Sequence, residues 1–133
     1  MSANTMISYL SVSIGGAFGC CVRFALTQMC SGVKSPFPLG TLASNVIAGL
    51  LIGIIIGIDS QKNIFNPLLK LFLTTGMLGG LSTFSTFSAE TIRLFTSGKN
   101  LEALLNVSLN LGLSLAGVVA GIMLGKMILS AQG

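Results

Sequence analysis

The chain has 133 residues, 52% of them hydrophobic and 8% charged, and its mean hydropathy of +0.91 indicates a membrane protein rather than a soluble globular domain. Its formal charge is +4, but the seven cations lie singly along the sequence and form no basic patch, so we expect no nucleic-acid partner. With no histidine and three acidic residues, the chain lacks the side chains that acid–base or metal-assisted catalysis needs, and we do not expect an enzyme.

Four apolar segments are long enough to cross a bilayer as α-helices, because a hydrocarbon core of about 30 Å needs roughly 20 residues per span. They are residues 6–29, 39–58, 67–95 and 103–129. We therefore predict an all-α membrane protein in which residues 1–133 form a single domain of four transmembrane helices.

Glycines recur at every fourth position in three of these spans. Such spacing makes flat helix faces that allow close backbone approach. The pattern predicts tight helix packing, and it leaves open whether the partner helix belongs to the same chain. The glycines are Gly15 and Gly19, then Gly49, Gly53 and Gly57, and then Gly117, Gly121 and Gly125.

The basic residues divide evenly between the two sides of the predicted bundle. Orientation normally follows an excess of Lys and Arg in the cytoplasmic loops, and here there is almost none. Either other features fix one orientation, or the chain inserts both ways and an antiparallel, dual-topology homodimer can form. One side carries Lys62, Lys70 and Lys126, and the other carries Lys34, Arg93 and Lys99; counting Arg23, near the end of the first span, changes the tally only to four against three.

Several polar side chains lie inside the predicted spans, where they are costly unless they find partners. Asn45 lies in the second span, whereas Asn106, Asn110 and Ser114 follow one another at intervals of four in the fourth span. The interval places these three on one helical face. They either join helices by hydrogen bonds or line a polar pathway, and their alignment favours the pathway.

The third span contains the sequence GGLSTFSTFSAE, residues 79–90. Glycines weaken a helix, and Ser or Thr hydroxyls can satisfy backbone groups that a break frees. We therefore predict that this helix is broken near Gly79 to Ser82. Broken helices in membranes commonly build ion sites from exposed carbonyls and helix ends.

Two phenylalanines of this stretch, Phe84 and Phe87, share one helical face. Their electropositive ring edges, together with the Asn45 amide and nearby hydroxyls, are uncharged donors that suit a small anion. From spacing alone, two phenylalanines that pack the core are the simpler explanation.

Three segments resemble the Fluc (CrcB) family of fluoride channels: GGAFGCCVRF at 15–24, PLGTLASNVIAGLLIG at 38–53 and TTGMLGGLSTFSTFSAE at 74–90. The resemblance extends over essentially the whole chain. It implies an antiparallel, dual-topology homodimer in the bacterial plasma (inner) membrane that conducts fluoride passively and very selectively over chloride. It also implies one cofactor, a structural sodium ion at the centre of the dimer.

The resemblance also implies roles for individual residues, by position. Sodium is bound through the backbone carbonyls of Gly79 and Ser82, and Arg23 has a structural role. Asn106 falls where some relatives carry tyrosine, so the resemblance does not imply which side chain lines the vestibule of the pathway there. The residues implied to line the fluoride pore are Phe84, Phe87, Asn45, Thr83, Thr86, Asn110, Ser114 and Glu90.

A small proton-coupled multidrug exporter of the four-helix, dual-topology type is the alternative. Such a transporter needs a carboxylate inside the membrane, whereas the first span has none and Glu90 lies late in the third. One tyrosine and no tryptophan leave little to build an aromatic cage for a bulky cation. A third hypothesis, a non-conducting accessory subunit, leaves the STFSTF repeat unexplained.

Overall fold

A computed structural model describes residues 3–33, 35, 37–62 and 64–131, and this part of the chain is helical without any β-strand. Within it, three helical segments, Asn4–Ser31, Leu39–Ser60 and Asn100–Ser130, are long and apolar enough to cross a membrane. The predicted all-α class is confirmed, while the count of four membrane crossings stays a prediction. The elements are α1 (Ala3–Ser31), α2 (Leu39–Lys62), α3 (Pro67–Leu71), a π-helical segment (Phe72–Leu78), α4 (Gly79–Leu81), α5 (Phe84–Thr96) and α6 (Asn100–Ser130).

The third predicted span, 67–95, is divided among four short elements. Its backbone leaves the helical conformation at Ser82 and Thr83, whose ψ angles are 153° and 112°. The break therefore lies at the end of the predicted stretch, and the glycine pair before it is helical. A Cβ on Gly80 would lie 3.1 Å from the Cα of Gly16, so this glycine permits close packing of α4 on α1 rather than unwinding the helix.

The most extensive helix pair is α2 with α6, which pack backbone against backbone through their glycines. A Cβ on Gly53 would lie 3.0 Å from the Cα of Gly121, and one on Gly57 would lie 3.1 Å from the Cα of Gly125. Atoms at these separations leave no room for a side chain, which explains the interval of four.

The glycine face of α1 is also used inside the subunit, against the π-helical segment. A Cβ on Gly76 would lie 3.1 Å from the Cα of Gly15. The partner helix that the sequence left open is thus in the same chain for all three glycine series. Consequently, these glycines provide no support for a dimer.

An ion pair holds the connection between α2 and α3. The Asp59 carboxylate, which is buried, lies 2.5 Å from the Lys70 ammonium and also accepts the N–H of Phe65 at 3.4 Å. Lys70 is one of the cations counted above, and it is neutralised locally by this pair. Lys34, another of them, lies outside the described residues, as do both ends of the predicted 1–133 domain.

The buried apolar core of the subunit is small and centres on Ala48, Leu78 and Leu81. Large apolar side chains of α1, α5 and α6 are instead exposed over much of the surface, for example Phe24, Phe95 and Leu115. A chain in a bilayer can leave such side chains against lipid, because the tails are as apolar as the residues themselves.

The glycine contact between α2 and α6 predicts a position-specific cost for added side chains. In Gly121→Val, the new Cβ would lie 2.8 Å from the Ile54 nitrogen and 2.9 Å from the Gly53 Cα. We expect the free energy of unfolding in detergent to fall by about 1–3 kcal/mol because the helices must separate. The control is Gly112→Val in the same helix, where an added Cβ has no neighbour within 4 Å and the expected change is within about 0.5 kcal/mol. Equal losses in the two variants would contradict the packing argument.

Candidate functional site

A groove of about 360 Å³ opens beside the break. Its walls come from α2, the π-helical segment, α4, α5 and α6, and none of the residues that line it carries a charged side chain. The break therefore stands at the edge of a space that combines apolar walls with uncharged polar groups. Among the predicted site residues, the groove is lined by Asn45, Gly79, Ser82, Thr83, Phe84, Phe87, Asn110 and Ser114.

The Asn45 side chain bridges the broken backbone. Its Oδ1 accepts the N–H of Thr83 at 2.8 Å, and its Nδ2 lies 3.4 Å from the Thr83 carbonyl oxygen. Thr83 is also the N-cap of α5, because its hydroxyl accepts the N–H of Thr86 at 3.2 Å. A side chain from α2 thus replaces the partner that the Thr83 amide would have in a continuous helix, so the break leaves this donor paired.

From Asn45 a line of hydrogen bonds runs into the protein interior. Asn45 Nδ2 donates to Asn110 Oδ1, and Asn110 Nδ2 donates to Asn106 Oδ1, both at 2.9 Å. Asn106 Nδ2 then donates to the Thr91 hydroxyl at 2.9 Å. The sequence analysis did not single out Thr91. Its only sequence signal is that it lies four residues after Phe87, to whose carbonyl its hydroxyl donates.

Phe84 and Phe87 pack against each other, with ring centroids 5.5 Å apart and ring planes inclined at 55°. Phe87 is buried, whereas Phe84 is 75% exposed. Core packing therefore accounts for Phe87 alone within one subunit. The two rings are tilted rather than stacked in parallel, and the edges of an aromatic ring carry the positive part of its quadrupole.

Two buried polar atoms lack a hydrogen-bond partner among the described residues, Ser114 Oγ and Glu90 Oε2. Ser114 lines the groove, so its hydroxyl is a donor without an acceptor at the site. Glu90 is not among the lining residues; its carboxyl group interacts with the Thr41 hydroxyl of α2. The structure therefore separates Ser114 from Glu90, although both were predicted to line one pathway.

Gly79 and Ser82 provide backbone carbonyl oxygens beside the groove, and oxygen ligands are what a cation site needs first. In an unbroken helix the Gly79 carbonyl would accept the N–H of Thr83, but that N–H donates to Asn45. Gly79 and Ser82 are both exposed and line the groove. Carbonyl oxygens are ligands that hard cations accept, and these two residues fit a sodium ion to that extent.

Two predicted residues support the break from outside the groove. The Arg23 guanidinium donates from Nε to the Gly80 carbonyl at 3.1 Å and from Nη2 to the Cys20 sulfur at 3.5 Å, so it ties α1 to α4. Thr86 forms a hydrogen bond with the Thr83 hydroxyl at 2.9 Å. Neither Arg23 nor Thr86 lines the groove.

The chain matches the family described as CrcB-like protein, Camphor Resistance (CrcB), over residues 10–122. It is 43% identical over 102 residues to a fluoride-specific ion channel FluC of Serratia proteamaculans (strain 568), covering 77% of this chain and 80% of the relative. A protein of the same name from Clostridium novyi (strain NT) is 44% identical over 105 residues, covering 78% and 82%. A third, from Escherichia coli O1:K1 / APEC, is 41% identical over 100 residues.

Long apolar helices and a polar break define the class of the protein, a multi-pass membrane protein. The chain belongs to the CrcB family, as its resemblance indicated. The relatives are bacterial and carry the name of an ion channel rather than that of an enzyme. The predicted location, a bacterial cell membrane crossed more than once, is confirmed.

The bridge between Asn45 and the break predicts a local effect of replacing the amide. Asn45→Leu leaves the Thr83 N–H without its acceptor, and we expect a loss of about 1–3 kcal/mol in the free energy of unfolding. Hydrogen exchange at the Thr83 amide, followed by mass spectrometry or NMR in detergent, should become faster. Ile47→Ala, at an exposed position of α2, is the control and should leave exchange at Thr83 unchanged. Unchanged Thr83 exchange in Asn45→Leu would show that Asn45 does not hold the break.

Proposed function

We propose that the protein is a passive channel, highly selective for fluoride, that exports the ion from the cytoplasm down its electrochemical gradient. One observation carries the proposal: in a chain of the CrcB family, uncharged hydrogen-bond donors line a groove beside a broken helix. The relatives named fluoride-specific ion channels support the choice of ion.

The chemistry of the groove supports an anion that is small and strongly hydrated. The Asn45 amide, the unpartnered Ser114 hydroxyl and the edge of the exposed Phe84 ring are donors without fixed charge. Fluoride needs several close donors to replace its water, whereas a larger halide is dehydrated more easily and gains less from them. Donors that carry no full charge attract the anion without trapping it, as conduction requires.

A passive channel is sufficient for export. Hydrogen fluoride crosses membranes as a neutral acid and ionises in the more alkaline cytoplasm, where the anion accumulates. The membrane potential then drives fluoride outward by about 2.3 kcal/mol per charge for each 100 mV. Neither ATP nor a coupled proton is required for this direction of flow.

We further propose that the working unit is an antiparallel, dual-topology homodimer. Phe84 is 75% exposed in a single subunit, and the groove is open, so a second copy is needed to enclose the path. The near-equal count of basic residues on the two sides permits both orientations. In such a dimer the Gly79 and Ser82 carbonyls of two subunits would meet and hold one structural sodium ion.

The alternative of a proton-coupled multidrug exporter has less support. That mechanism needs a carboxylate that both protons and substrate can reach. Glu90 does not line the groove, and its carboxyl group interacts with Thr41.

Fluoride efflux from liposomes tests the proposed activity. Vesicles loaded with potassium fluoride and containing the purified protein should release fluoride, read by a fluoride electrode, while parallel vesicles with chloride release almost none. We expect Phe84→Ile and Phe87→Ile to lower the fluoride rate more than about tenfold, the effect of losing roughly 1.4 kcal/mol of stabilisation. Phe95→Ile is the matched control because Phe95 is exposed on α5 and does not line the groove. The proposal is wrong if wild-type vesicles retain fluoride or if chloride leaves equally fast.

Labelling from one side of the membrane tests the antiparallel arrangement. In a variant with Cys20, Cys21 and Cys30 replaced by alanine, a single cysteine in place of the exposed Ser97 marks the turn between α5 and α6. A membrane-impermeant maleimide added to intact cells should label about half of the protein, because two orientations are expected to be equally populated. Complete labelling, or labelling only after lysis, would exclude dual topology.

A further inference from the structure

We infer that Asn106 and Thr91 are positioning residues that fix the orientation of the Asn45 amide through Asn110. The inference rests on the proposed function for its effect on fluoride. The structural part of the inference concerns a series of hydrogen bonds from the Thr83 N–H to the Phe87 carbonyl, which we call the line. It depends only on the geometry of the side chains in that series, those of Asn45, Asn110, Asn106 and Thr91.

Two backbone groups, the Thr83 N–H and the Asn106 carbonyl, determine how the Asn45 and Asn110 amides are oriented. The Thr83 N–H can only donate, so it must meet Asn45 Oδ1, which it does at 2.8 Å. Asn45 Nδ2 then faces Asn110, and because Nδ2 can only donate, Asn110 must accept through Oδ1; these two atoms lie 2.9 Å apart. At the other end, the Asn106 carbonyl can only accept, and it receives Asn110 Nδ2 at 3.1 Å. An amide turned the other way would place donor against donor or acceptor against acceptor.

The remaining members follow the same direction. Asn110 Nδ2 also donates to Asn106 Oδ1 at 2.9 Å, which leaves Asn106 Nδ2 to donate to Thr91 Oγ1 at 2.9 Å. The Thr91 hydroxyl can accept this bond because its own proton goes to the Phe87 carbonyl at 2.8 Å. Each side chain in the line therefore accepts a hydrogen bond from the group before it and donates one to the group after it.

The line leaves one hydrogen of Asn45 weakly bound. Asn45 Nδ2 has two hydrogens: one is donated to Asn110, and the other faces the Thr83 carbonyl at 3.4 Å, beyond the usual range for an N–H···O bond. Asn45 and Thr83 both line the groove. The second hydrogen is thus the one that an anion at the break can take without disrupting a strong bond.

Asn106 and Thr91 act only through their neighbours. Asn106 is 0% exposed and Asn110 4% exposed, and neither Asn106 nor Thr91 is among the residues that line the groove. Bonds in such a dry site are stronger and polarise one another. Removing the inner end of the line should therefore loosen Asn110 and then Asn45, although the anion never touches the residue that was changed.

The test uses Thr91→Val, which keeps the shape of the side chain and removes the acceptor for Asn106, and Asn106→Leu, which removes the side-chain acceptor for Asn110 and leaves the Asn106 backbone carbonyl in place. Both are examined in the full-length protein by side-chain amide NMR and by fluoride efflux. We expect the side-chain amide signals of Asn45 and Asn110 to shift and their hydrogens to exchange faster. Fluoride efflux should fall roughly three- to tenfold, the effect of one hydrogen bond.

Two comparisons separate positioning from a general loss of stability. Ser108→Ala, at an exposed position of the same helix, should change neither the Asn45 signals nor efflux. In an Asn45→Ala background, Thr91→Val should cause no further loss of efflux, whereas a merely destabilising change would add to it.

The outcomes are distinguishable from failure of the proposed function. If wild-type vesicles release no fluoride, the channel proposal fails and the NMR measurement still tests the line of hydrogen bonds. If the Asn45 and Asn110 side-chain signals are the same in wild type, Thr91→Val and Asn106→Leu, the positioning inference is overturned. Additive losses of efflux in the Asn45→Ala background would overturn it as well.

Discussion

The hydrogen bond from the Thr83 N–H to Asn45 Oδ1, 2.8 Å long, is the interaction on which the site depends. A break in a helix leaves a backbone donor without its helical partner, and where water is absent this donor requires another acceptor within the protein. Asn45 provides it from a neighbouring helix. By taking the amide of Thr83, it also deprives the Gly79 carbonyl of its helical partner. The Asn45 side chain therefore leaves the Gly79 carbonyl as an acceptor on one side of the break and presents its own Nδ2 hydrogens as donors on the other.

This arrangement links the two ions of the proposed function. A cation held by the carbonyls before the break and an anion held by the donors after it would both depend on the same diverted amide. None of the residues that line the groove carries a charged side chain, so an anion moving along it would not have to separate from a fixed counter-ion. The glycine contacts of α2 with α6 and of α1 with the π-helical segment hold the helices that carry these groups at fixed distances.

The sequence predicted the class of the fold, the presence of the break and most of the residues that line the groove. Composition, the glycine interval and the STFSTF repeat are local signals and predicted the fold class and the break, whereas most of the individual site residues were implied by the resemblance to the CrcB family. The sequence predicted the break near Gly79 to Ser82, and the chain unwinds at the end of that range, at Ser82 and Thr83, whereas Gly76 and Gly80 are needed for contact with α1. The resemblance implied that Glu90 and Thr86 line the fluoride pore; neither lines this groove, and their place in a pore stays a prediction.

Thr91 illustrates the same limit more strongly. A threonine on a helix is ordinary, and its importance arises only because α6 brings Asn106 within 2.9 Å of it. Contacts between elements distant in sequence set both that bond and the tie of Arg23 to the Gly80 carbonyl. The glycine faces show the converse: the interval was recognised, yet only the fold reveals that the partner helices lie in the same subunit.

A titration of the protein with fluoride, observed through the side-chain amide signals of Asn45 in ¹⁵N-asparagine-labelled protein, tests the central claim most directly. The account predicts that the Asn45 Nδ2 signals move with fluoride concentration and reach a plateau, and that chloride at the same concentrations leaves them in place. Asn45 signals that ignore fluoride, or that respond equally to chloride, would contradict the claim that this amide is a donor to the conducted ion.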